Sequence, residues 1–331
     1  MPKIALAETS TNGLSWGGFV DTYYAYDFNL NSDRSFTTQP ARHNEFNINL
    51  AFVEAKLDQD RLHGRLAIQF GTSVQNNYAA EPALYRNIQE AFVGYKLGEQ
   101  TWIDAGIMLS HIGLENFISK DNILYTRSLV ADYSPYFETG IRLSTQWSDK
   151  WSTQLLVLNG WQNIAENNSN KAIGTQVSYS PTTSLTFIYS TFFGKEYAYR
   201  YFNDLMMKLS LDENWTIAAQ ADLGLQDEST GGSNANWSGF SLMVRHQLSS
   251  TLALNLRCER FSDPKQVLIP LSNGNAFKAW VGSLGVDVKL SQAVSWRNET
   301  KFLYSEDPIF PSAFGFRTLN TTIVTALTAG F

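Results

Sequence analysis

Cysteine is nearly missing: Cys258 stands alone in 331 residues, which excludes an internal disulfide framework and any cysteine-rich metal site. Long apolar runs are missing too. No uninterrupted run exceeds four residues, as in Ile4–Ala7, Leu50–Val53 and Leu155–Leu158. A transmembrane helix needs about 18 or more such residues, so helical spanning is excluded. Charge is sparse, at 17% of residues, against roughly 25% in a soluble domain. The net charge of −6 and the lack of a basic stripe exclude nucleic acid as a partner. No segment resembles a linker between two cores, although the length would accommodate two domains. No G-x-S-x-G motif accompanies His43, His63, His111 or His246, and no two of these histidines lie at metal-ligand spacing. Catalytic residues, metals and cofactors are therefore not expected. Residues 1–13 read as a tail, and its opening Met1–Ala7 is too short for a secretory signal with its apolar stretch of about 7–15 residues. Ala5-Leu6-Ala7 has the A-x-A form of a cleavage site, so this tail reads equally as a signal or expression remnant and as chance.

What the chain does contain is a period of two. Leu62, Gly64, Leu66, Ile68 and Phe70 alternate with Arg61, His63, Arg65, Ala67 and Gln69. The same alternation recurs at Ile103–Leu109, Ile141–Trp147, Leu185–Phe193, Leu205–Leu211, Ile217–Leu225, Leu252–Cys258, Leu284–Leu290 and Leu319–Phe331. Helical spacing fits none of these segments; they are strands. Short connections such as Gly98-Glu99-Gln100 and Asp212-Glu213-Asn214 alternate with long ones near 28–43, 71–87, 110–137, 163–171, 194–203, 226–237, 262–276 and 305–316. Seven short turns and eight long loops separate sixteen strands. That asymmetry belongs to an all-β transmembrane up-and-down barrel with short periplasmic turns and long extracellular loops.

A soluble β-sandwich would also alternate. Two observations weigh against it. The apolar parity of these segments carries no Asp, Glu, Lys or Arg, and the opposite parity is polar, as a wet lumen requires. Large amphipathic rings also crowd the short turns: Trp147, Trp151, Tyr179, Trp215 and Trp296 read as an aromatic girdle at headgroup depth. The last strand ends on Phe331, which resembles the C-terminal signal read by the barrel assembly machinery.

Three stretches carry a family resemblance: Trp16-Gly17-Gly18-Phe19-Val20-Asp21-Thr22-Tyr23-Tyr24-Ala25-Tyr26, Gly113–Asn122 continuing to Asp132-Tyr133-Ser134-Pro135-Tyr136, and Leu158–Asn163 followed by Asn167-Asn168-Ser169. The chain resembles the OmpL-like β-barrel porin family from about residue 13 onward. The resemblance implies a porin-like barrel in the bacterial outer membrane, set among lipid and lipopolysaccharide. It brings no catalytic residues and no defined substrate.

Sixteen strands leave an aqueous channel, whereas eight fill their own interior. A diffusion porin for small hydrophilic solutes is therefore expected. A channel selective for an anion or an oligosaccharide, and a barrel acting in adhesion or scaffolding through its outer loops, remain alternatives. Inward parity nominates Arg61, His63, Arg65, Lys96, Asp104, Arg142, Arg257, Arg297 and Lys301 as pore-lining. The same parity takes in Lys208, Asp222, Arg245, Glu259, Asp287, Lys289 and Glu299. Each of these charges could equally serve as plain lumen solvation or as a wall-stiffening ion pair. The loop at 110–137 carries His111, Glu115, Lys120, Asp121, Arg127 and Asp132 and is expected to fold inward, its acids facing a basic wall, as a constriction. That arrangement predicts weak ion selectivity. Inward aromatics read as few and scattered (Phe19, Tyr23, Phe92, Trp102), which disfavours a sugar ladder. An arginine is expected to be costly at outward Leu66 or Val286 and silent at inward Gln69 or Ser283. A homotrimer is the expected assembly, with Asn298 and Thr300 tolerable at a contact between copies.

Overall fold

The computed structural model describes residues 13–30, 33–227 and 234–331; the Ala5-Leu6-Ala7 stretch lies outside the described residues. Sixteen strands close one barrel. They are β1 (Leu14–Asp27), β2 (Phe46–Asp58), β3 (Leu62–Phe70), β4 (Ile88–Gly98), β5 (Thr101–Leu109), β6 (Phe137–Gln146), β7 (Trp151–Leu158) and β8 (Ala172–Thr182). The circuit continues through β9 (Leu185–Lys195), β10 (Tyr199–Ser210), β11 (Trp215–Gln226), β12 (Ala235–Gln247), β13 (Leu252–Asp263), β14 (Phe277–Lys289), β15 (Val294–Tyr304) and β18 (Leu319–Gly330). A small hairpin, β16 (Phe310–Ser312) with β17 (Gly315–Arg317), sits in the last loop.

Neighbouring strands run antiparallel, and β1 meets β18 from Phe19↔Gly330 to Asp27↔Thr322. Gly18 and Phe331 then exchange backbone hydrogen bonds of 2.8 and 3.0 Å. Closure removes the free edge that a strand could not afford in lipid.

Each strand turns its apolar parity outward. Leu66, Leu205, Leu256 and Leu284 are each more than half exposed on the outer surface. The ring residues beside the short turns face the same way. Trp151 stacks on Tyr179 at 4.2 Å and Trp215 on His246 at 3.9 Å, while the indole N–H groups of Trp147 and Trp296 donate to Thr153 and Thr325. Outward charge is confined to the loop ends of the strands. Arg260 lies over the Trp280 ring, 5.2 Å from its centre, and Lys278 is exposed beside it. The outer face is thus uncharged across its middle but not along its whole height.

The long connections are L1 (28–45), L2 (71–87), L3 (110–136), L4 (159–171), L5 (196–198), L6 (227–234), L7 (264–276) and L8 (305–318). L5 is much shorter than the expected 194–203. Phe193 packs on Tyr199 and Tyr201 across the β9–β10 pair, and this outer aromatic cluster carries the two strands almost to their joining turn.

The inner parity is not uniformly wet. Toward the loop end, Phe192, Phe202, Trp237, Phe261 and Phe277 point inward and are almost fully buried. They pack with Ile112, Leu129 and Val130 of L3, Ile269 of L7, and Ile309 of L8 beside Phe310. Phe36 of L1 and Trp161 of L4 close over the same cluster. The outer half of the lumen therefore holds an apolar core built from wall rings and five loops, counting Tyr133 with L3. This corrects the expectation of a polar lumen throughout.

Candidate functional site

L3 runs inside the barrel, and its backbone poses a problem. It forms no ladder of its own beyond a turn at Ser119–Asp121 and the four-residue helix α1 (Leu129–Asp132). Buried N–H and C=O groups must still be paired. The wall supplies the partners along the arc from β8 to β1. The His111 carbonyl accepts from Gln176 of β8 (2.6 Å) and Ser190 of β9 (2.9 Å). Gly113 N–H donates to Asp204 of β10 at 2.8 Å, and Leu114 N–H to Gln220 of β11 at 3.1 Å. Val130 N–H donates to Glu259 of β13 at 2.9 Å. Thr126 donates from both N–H and hydroxyl to Glu299 of β15, each at 2.7 Å. Ser119 and Tyr125 hydroxyls both donate to Asp21 of β1 at 2.8 Å.

Cations serve the loop carbonyls in the same way. Arg297 donates to the carbonyls of Ser119, Asn122 and Ile123. Lys301 Nζ donates to Arg127 O at 2.8 Å. Arg257 reaches Thr126 O (2.8 Å), Glu299 (3.0 Å) and Glu115 (3.5 Å). Buried ion pairs are costly when left incomplete, so these charges are held in place by the loop that they hold.

The loop residues named from sequence fall into two groups. His111, Glu115, Arg127 and Asp132 are buried and bind the loop to itself or to the wall. Glu115 accepts from the N–H and hydroxyl of Ser128, the residue that caps α1. Arg127 lies 3.9 Å over the Tyr136 ring, and Asp132 accepts from the Tyr136 and Thr38 hydroxyls. Burial works against a proton on His111, but the Glu138 carboxylate 2.9 Å from Nδ1 outweighs it and holds the imidazole above the ordinary histidine range. Lys120 and Asp121 instead pair with each other at 2.7 Å, half-exposed on the turn side of L3.

The wall candidates separate similarly. Arg257, Arg297 and Lys301 come together under L3. His63, Asp104 and Arg142 form a second cluster: His63 and Arg142 both contact Asp104, at 2.5 and 2.8 Å, and the imidazole stacks on Trp102. Lys96 lies over the same Trp102 ring. Arg65 is clamped between Glu54 and Glu90. Arg61 joins neither cluster. It stands in the turn before β3, with its guanidinium 5.1 Å over the outward ring of Tyr95, so parity misleads where a strand has not yet begun.

Asp21, Asp204, Gln176 and Gln220 moor the loop yet were not among the candidates. Parity alone places Asp21 inward, between Phe19 and Tyr23; that a backbone would need it was invisible locally. Asp21 and Asp204 join Glu259 and Glu299, which parity places on the wall, so the wall is more acidic than expected. L3 is therefore not an acidic edge facing a basic wall but a backbone whose dipoles are answered by both signs. Among the described residues no group of three or more His, Cys, Asp or Glu could hold a metal ion.

A closed sixteen-strand barrel with an inward third loop accords with a comparison of family profiles, where the description "Putative beta-barrel porin-2, OmpL-like" matches residues 13–331. The chain belongs to this OmpL-like porin family. It is an integral outer-membrane β-barrel and a porin. No curated protein matches the sequence. Solved structures share its fold at low identity. OmpT of Vibrio cholerae is 9% identical with a TM-score of 0.64, over 98% of this chain and 100% of that one. OmpF of Salmonella typhi, in complex with daunomycin, is 13% identical with a TM-score of 0.65, over 98% and 100%. An anion-selective porin from Comamonas acidovorans is 13% identical with a TM-score of 0.61, over 96% and 99%.

Proposed function

We propose that small hydrophilic solutes and ions cross this porin by passive diffusion, without a catalytic step, and that L3 sets the width of their path. The observation that carries the reading is the mooring of L3 to seven strands across the lumen from its own β5–β6 origin, from Gln176 on β8 round to Asp21 on β1. A loop tied only at its ends would swing; this one is positioned. The inward rings at the loop end do not favour an oligosaccharide slide, because Phe192, Trp237 and Phe277 are packed away rather than presented to a solute. In planar bilayers the purified barrel is expected to open discrete ohmic channels. Insertion without measurable conductance would overturn the reading.

Partners follow from the outer surface. Arg260 and Lys278, outward at the loop ends of β13 and β14, suit the anionic headgroups of lipopolysaccharide, and the strand ending at Phe331 suits the assembly machinery. The sector from β15 to β2 is proposed as the contact between three copies. Thr22, Asn47 and Thr325 line a groove there between Phe46, Trp296 and Leu327, with a volume of about 470 Å³; Asn298 lies outward on the same side. Polar groups facing lipid are better placed against another chain. Native mass spectrometry of detergent-extracted protein should give a trimer, and a monomer mass would retire the assembly without touching the barrel.

A further inference from the structure

We infer that the turn-side bowl beneath L3 makes this porin selective for small anions, a property that rests on the diffusion reading. The bowl has a volume of about 570 Å³ and is roofed by Lys120–Ile123 of L3. Five cations and two carboxylates line it. Both carboxylates are already engaged. Asp121 pairs with Lys120, and Asp287 is shared by Arg245 at 2.7 Å and Arg297 at 2.9 Å. Two arginines on one acid leave a positive charge over, and Lys208 and Lys289 add two more.

Those two lysines decide the matter. Both are exposed, and among the described residues neither has a carboxylate within ion-pair distance. An ammonium on a flexible stem donates three hydrogen bonds and accepts none, so in open water it draws anions without fitting one of them. A confined cleft with low-dielectric walls concentrates such a field. The second wall cluster offers no surplus of acid to oppose it, since Glu54, Glu90 and Asp104 are each bound by Arg65, Arg142, Lys56 or His63. Asp212 and Glu213 lie in the neighbouring turn but face bulk solvent, where screening within about 8–10 Å limits their reach. The class of solute is therefore small hydrated anions: chloride, inorganic phosphate and short carboxylates. A preference of one sign is proposed in place of the weak selectivity expected from sequence.

The test is the reversal potential in a KCl gradient at low ionic strength. The wild-type channel should favour chloride over potassium, and the preference should shrink as salt rises. Lys208→Gln with Lys289→Gln removes no side-chain hydrogen bond or ion pair among the described residues and should lower the chloride-to-potassium ratio about fivefold. The same two positions changed to Glu should reverse it, while Lys195→Gln at the outward loop end of β9 should leave it unchanged. Open channels with a ratio of one or below, or a ratio untouched by the double substitution, would overturn the inference and leave the pore intact. If no channel opened, the diffusion reading would fall, and phosphorus NMR would still read the bowl. Line broadening of inorganic phosphate by the folded barrel, lost in the double Gln variant, upholds anion binding; equal broadening in both proteins refutes it.

Discussion

Deleting residues 115–130 is expected to raise single-channel conductance several-fold while the barrel still folds. The strands are joined by a continuous ladder that L3 does not enter, so closure at β1–β18 survives its loss. The wall charges that the loop now satisfies, Glu299, Glu259, Lys301 and Arg297 among them, would be released into lumen water, which solvates them as the loop did. Removing Leu129 and Val130 also takes two members out of the apolar core at the loop end, so the cap over the outer lumen should loosen together with the constriction. Circular dichroism should show unchanged strand content beside the larger conductance. Equal conductance would mean that ions already bypass L3.

Arginine on the outer face should have the largest effect on stability. Leu66→Arg or Leu284→Arg places a cation against acyl chains and should cost about 2–4 kcal/mol near the midplane. Both side chains are about half-exposed on the outer surface, with no inner cavity to turn into. Ser144→Arg and Ser178→Arg, inward on the turn side and partly exposed, serve as tolerant controls. Gln69 and Ser283 do not, despite sharing that inward parity. Gln69 is fully buried and donates to the Arg86 carbonyl. Ser283 accepts from Arg257, where a second guanidinium would face the first. Refolding into lipid vesicles against urea reads both sets. Similar losses at Leu66 and Ser144 would mean that the strand register is wrong.

Sequence by itself determined the barrel, its strand number, its outer face and the ends at which loops and turns lie. These follow from a period of two, which is local covalent geometry: one residue out, the next in, whatever the rest of the chain does. It also placed Arg257, Arg297 and Lys208 on the inner side. Only the tertiary structure decided what inside means for each of them. Arg257 and Lys208 have the same parity, yet one is buried under L3 and the other opens on the turn-side bowl. The difference is made by pairs such as Thr126 with Glu299, 173 residues apart, and by the rings of Phe261 and Phe277 meeting Leu129, Val130 and Phe310. No local pattern encodes such pairs, because a buried backbone group requires a partner without specifying where along the chain it will come from.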